Sequence, residues 1–156
     1  MSELGWIHTI FGIVALVSGL VVTVQRKGTR WHRTIGHIYF TSMISLNLTA
    51  LSIYNLYGNF GPFHWLALAS LITLFAGLIP VLTRSPKGKW LERHAIFINY
   101  SYIGLVAAFA AEITSRIPDT DDSFGIIVAA TSVLVMFLGS SILWRFLPHS
   151  LSKVKN

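Results

Sequence analysis

The residues of this 156-residue chain best suited to chemistry are five histidines and one carboxylate, His8, His32, His37, His64, His94 and Glu112, set within or beside long apolar runs. An ionisable group in hydrocarbon is costly, so each implies a site or a pairing. Imidazole ligates haem iron, zinc, copper and non-haem iron, and a carboxylate adds to the last three. The chain has no cysteine, which excludes thiolate metal sites, cysteine nucleophiles and disulfides together. A Ser-His-Asp triad is unsupported, because Asp119, Asp121 and Asp122 crowd into one loop away from the apolar serines. Glycine-rich phosphate-cradling loops are absent as well.

Spacing sorts these residues. His94 and Glu112 lie 18 residues apart, five full helical turns, so both point the same way. Ser101 and Ala108 share that stripe, and Ser101 with its neighbour Tyr102 would line a polar path along it. At about 1.5 Å rise per residue the two ionisable groups are roughly 27 Å apart, so no single ion can collect both. One face therefore looks into two separate polar sites, or into a cavity joining them. His8, Gly12, Ala15 and Gly19 form a second stripe, whose small residues would admit either a flat macrocycle or a neighbouring helix. Ser42, Ser45, Thr49 and Ser52 form a third, and interhelical hydrogen bonding accounts for it.

The elements that must position these groups are membrane spans. The chain is 53% hydrophobic and only 12% charged, where a soluble domain carries roughly a quarter of its residues charged, so lipid is its natural solvent. Five apolar segments, 5–25, 34–57, 62–83, 91–115 and 124–146, each approach the ~20 residues that cross a bilayer. Such uninterrupted runs exclude β-barrel strands. The expected fold is all-α: one five-helix polytopic bundle comprising a single domain. Arg26, Lys27, Arg30 and Arg33 fill the first loop, and Arg84, Lys87, Lys89 and Arg93 the third, while the second has no charge. The positive-inside rule then puts the N-terminus outside and the C-terminus inside. Basic residues confined to short loops argue against nucleic acid as a partner, despite a net charge of +6. The first apolar stretch lacks a basic n-region, and no cleavable signal peptide is apparent.

Orientation becomes depth. His8, His64 and Glu112 fall near the outer surface; His32, just before the second span, His37 and His94 fall near the inner one. Each set places histidines from different helices at one depth, as a bis-histidine haem requires, and His8, His32, His94 and Glu112 are candidate metal ligands. Plainer roles compete. His32 and His64 can sit among headgroups as amphipathic rings do, His149 lies in the tail, and Glu112 can pair with Arg116 at i+4.

The run Trp31-His32-Arg33-Thr34-Ile35-Gly36-His37-Ile38-Tyr39 resembles the H-R-x-x-G-x-x-Y element of DUF2306, a family of small bacterial multi-span membrane proteins. His8 opening the first span and the stretch from His94 through Ser101-Tyr102 to Glu112 fit the same pattern, which covers most of the first four spans. The resemblance implies a multi-pass protein of the bacterial cytoplasmic membrane with recurring histidines, and favours His8, His32 and His94 over His64. The plan is also similar, more distantly, to cytochrome b561-like bundles, which hold b haems between four helices. The leading expectation is a redox protein binding haem b or another metal through His8, His37, His64 and His94, with a quinone or another membrane redox partner. The alternatives are a zinc-dependent intramembrane hydrolase, and a small transporter or assembly factor with a path lined by His94, Ser101 and Glu112. Oligomerisation is compatible with all three.

Overall fold

The structure, a computed structural model, describes residues 2–54, 58–114 and 123–155, with side chains as far as Leu147. Among the described residues five helices follow in order: α1 (Glu3–Val24), α2 (Arg30–Ser52), α3 (Pro62–Thr83), α4 (Trp90–Thr114) and α5 (Phe124–Lys155). No strand occurs among the described residues. α3 occupies the expected 62–83, opened by Pro62, whose fixed φ suits a first helical position. α2 starts four residues earlier than expected, because the Thr29 hydroxyl accepts the His32 N–H and caps the helix through the basic run. His32 is thus a first-turn helical residue. α5 continues to Lys155, beyond its apolar portion Phe124–Leu147.

Among the described residues four helices, α1, α3, α4 and the apolar part of α5, are long and apolar enough to cross a membrane. α2 has 23 residues but is more polar. Its register explains why it can still cross. His8 pairs with Thr49, Gly12 with Leu46, Gly19 with Tyr39 and Val22 with Gly36, so α2 runs antiparallel to α1 over their whole lengths. It spans the slab that α1 spans, and its buried polar residues Ser42 and Asn47 turn inward. Asn47 Nδ2 donates to Ser70 Oγ on α3 at 3.1 Å, satisfying an amide that lipid could not.

α1 to α4 form the bundle, and α5 packs outside it along α4. α1 and α4 meet sparingly. A central core of Ala15, Tyr39, Met43, Leu46, Leu74 and Leu105 joins the four. Large residues such as Ile10, Val17, Ile72 and Phe137 face outward, as expected where lipid is the solvent. Lipid tails are as apolar as leucine, so close packing holds the helices together. Gly77 shows how close: a Cβ there would lie 2.7 Å from Ile98 Cδ1 and 3.1 Å from the Ile98 backbone nitrogen.

Candidate functional site

Where α1 and α4 diverge, toward the end that carries the N-terminus, a cavity of about 690 Å³ opens among all five helices. His8 of α1, Asn47 of α2, His64 and Ser70 of α3, Ala108 and Glu112 of α4, and Phe124 at the start of α5 contribute to its wall. Most of the remaining wall is apolar, and among the described lining residues Glu112 is the one formally charged side chain. The cavity is not sealed from the lipid side. Trp6 and Ile13 on α1, and Phe109 and Ile113 on α4, line it and are each about half exposed. They belong to two helices that meet sparingly. At Gly104, on the cavity side of α4, a Cβ would meet nothing within 4 Å.

His8 is held in a defined protonation pattern. Its Nδ1 lies 3.0 Å from Thr49 Oγ1. The Thr49 hydroxyl already points at its own helix, 2.9 Å from the Ser45 carbonyl and 2.8 Å from that of Leu46. Its one proton goes there, so the hydroxyl oxygen accepts from His8 Nδ1–H. That tautomer puts the lone pair on Nε2, on a ring that lines the cavity and also hydrogen-bonds the Leu46 backbone. The Glu112 carboxylate lies close enough for its charge to act on that ring.

His64 has a different task. The ring is buried between Tyr54 and Phe60, with centroids 4.6 and 4.7 Å away. Its Nδ1 accepts the Gly61 N–H at 3.1 Å and closes the start of α3. The proton therefore sits on Nε2, which is buried without a partner. So His64 contributes to the wall but presents no lone pair to the space. Among the described residues no three His, Asp or Glu side chains gather as a metal-ligand group.

Below the cavity the bundle closes at mid-depth. Tyr39 OH and Ser101 Oγ are hydrogen-bonded at 2.9 Å, with Ser101 fully buried. Tyr102 OH donates to the Leu16 carbonyl at 3.3 Å, and its ring meets Tyr39 edge-on, centroids 6.4 Å apart. Both rings press on Gly19, where a Cβ would come within 2.9 Å of each. Ser101 and Tyr102, the expected lining of a polar path, are here part of a packed layer.

Past that layer lies the basic end. His94 Nδ1–H donates to the Gly77 carbonyl at 2.8 Å, which again leaves the lone pair on Nε2. His32 and Lys27 lie within electrostatic reach of it. Lys27 Nζ donates to the Val22 and Thr23 carbonyls at 2.7 and 2.5 Å, closing the end of α1. Burial pushes its ammonium below the ordinary lysine value. His32 Nδ1 is buried without a partner. His37 does not join them: it is exposed, five residues and about 140° around the helix from His32. The group gathered at the basic end is therefore His32, His94 and Lys27.

His8, His64 and Glu112, grouped by depth in the sequence, line one cavity in the structure, whereas Tyr39, Lys27 and Gly104 were not among the sequence's candidate site residues. Gly104 had a signal, since with Ala108 and Glu112 it repeats every four residues on the inward stripe. The partners of Tyr39 and Lys27 had none. Set against known proteins, the chain matches the family model of predicted membrane proteins designated DUF2306 over residues 5–144. No curated protein and no solved structure matches it. Spanning the family's pattern from the first helix into the fifth, the chain belongs to the DUF2306 family of predicted membrane proteins.

Proposed function

We propose that this is a redox-linked protein of the bacterial cytoplasmic membrane whose cavity takes a neutral, ring-bearing molecule of the quinone class from the bilayer. The observation that carries the reading is an apolar-walled cavity lined by half-exposed residues of α1 and α4, two helices that meet sparingly. Pockets of this kind, apolar with a few convergent polar groups, bind small molecules. The polar groups set the class. Among the described residues no lysine or arginine lines the cavity, so no cation there is placed to hold an anionic guest. His8 Nε2 accepts a hydrogen bond from a quinol hydroxyl, and is placed to take its proton when a redox partner in the membrane removes the electrons. The apolar tail of such a guest rests against Leu16, Met43 and Leu105 at the cavity's deep end.

Solvent extraction of the protein purified in mild detergent tests this directly. The reading requires about one quinone per chain; none above the level carried by an unrelated membrane protein would sink it.

A second reading is haem b. It is favoured by His8, whose Nδ1–H is anchored while Nε2 keeps its lone pair, the arrangement expected of an axial ligand. It predicts a Soret band in haem-supplemented protein that disappears in His8→Phe. A zinc hydrolase needs about three ligands, and no observation favours it.

A further inference from the structure

A second opening lies at the basic end, on the outer flank of α3 and α4, far from the cavity just described. It is a groove of about 550 Å³. Ala76, Ile79 and Pro80 of α3 and Phe97 of α4 make its apolar floor. Thr83, Ser85 and Arg93 stand at its rim. The two groups are graded in depth. Thr83 ends α3, and Ile79 and Ala76 lie one and two turns further into the bundle; on α4, Arg93 sits in the first turn and Phe97 one turn deeper.

We propose that this groove holds one anionic phospholipid, with its phosphate at Arg93 and the rim hydroxyls and an acyl chain along Ile79 and Phe97. Charge complementarity argues for the headgroup. Arg93 is exposed and makes no ion pair among the described residues. Exposed Lys87 and Lys89 add to the same field, and only Glu92, itself exposed, opposes it. Arg84 is occupied elsewhere, its guanidinium 4.4 Å above the Trp90 ring. The floor argues for a lipid over a free anion. A phosphate ion would use the rim and leave the floor bare, whereas a phospholipid covers both. Basic pockets between spans are where anionic headgroups bind.

Native mass spectrometry of the full chain, released from micelles containing phosphatidylglycerol or phosphatidylcholine, tests it. Wild type should keep one phosphatidylglycerol and little phosphatidylcholine. Arg93→Gln should lower that retention about five-fold, the order of one basic residue's contribution at a membrane surface. Arg26→Gln, in the other basic turn, should leave it unchanged. Ile79→Ser should weaken retention while Arg93 is intact. The proposal is overturned if Arg93→Gln keeps the lipid as wild type does, if the zwitterionic lipid is kept equally, or if inorganic phosphate alone displaces it. Arg93 and Ile79 both face outward, so matching thermal melts in lipid-free detergent will show that the variants fold.

Discussion

His8 and His94 are chemically alike in this protein: each donates its Nδ1–H to an oxygen on a neighbouring helix and keeps a lone pair on Nε2. Their surroundings differ. Around His8 the helices stand apart, and Gly104 faces open space. Around His94 they close, with Gly77 against Ile98 and Lys27 folded over the end of α1. The first histidine borders a volume that something must fill. The second is part of the filling. A histidine inside a span is therefore a site only where the helices around it leave room, and room is set by packing between elements.

The sharpest way to break this contrast is to put the same large side chain at both ends. Gly77→Leu forces atoms into Ile98 and its backbone, and should cost about 1–3 kcal/mol or more, read as a lower melting temperature in detergent. Gly104→Leu enters empty space and should stay within about 0.5 kcal/mol of wild type while abolishing ligand binding. Equal destabilisation by the two would erase the distinction between the ends.

The histidines give the next test. His8→Phe should reduce quinone affinity about ten-fold, the upper end of what one hydrogen bond contributes, with melting little changed. His94→Phe should lower the melting temperature and leave affinity alone. A drop in affinity from the second substitution would mean the ends communicate through the tyrosine layer. That layer has its own, smaller signature. Tyr39→Phe removes the bond to Ser101 and should cost about 0.6 kcal/mol, typical of such bonds between membrane helices. Calorimetry of the variant against wild type measures it.

Lys27 provides the smallest effect. Its folded value lies below the ordinary 10.5, so the charged form costs more in the folded protein than in the unfolded chain. That cost is fully present below the folded value and is relieved as pH rises from there toward 10.5, so stability gains over that window. In Lys27→Gln the gain should be missing when melting temperatures are compared across it.

Much of the architecture was legible in the residues. The apolar run 62–83 became α3 to the residue, and the 3.6-residue period correctly turned Ser101, Ala108 and Glu112 inward together. The start of α2 was not, because Arg30 and Arg33 read as loop together with Arg26 and Lys27, while Thr29 caps a helix that runs through Arg30 and Arg33. His37 could have been separated from His32 by the same periodicity, and was grouped with it by depth alone. The rest depends on pairs distant in sequence. Tyr39 finds Ser101 across 62 residues, and His94 finds Gly77 across 17, through packing that no local pattern encodes. Empty space is harder still, since no residue type marks the void beside Gly104.

A quinone-class molecule drawn from the bilayer is proposed to fill the space beside His8. The most direct test is the quinone content of wild type and Gly104→Leu, purified side by side and extracted into solvent. About one quinone per wild-type chain, and close to none in the glycine variant at unchanged melting temperature, is the result this account predicts. Equal quinone in both proteins, or none in either, would contradict it.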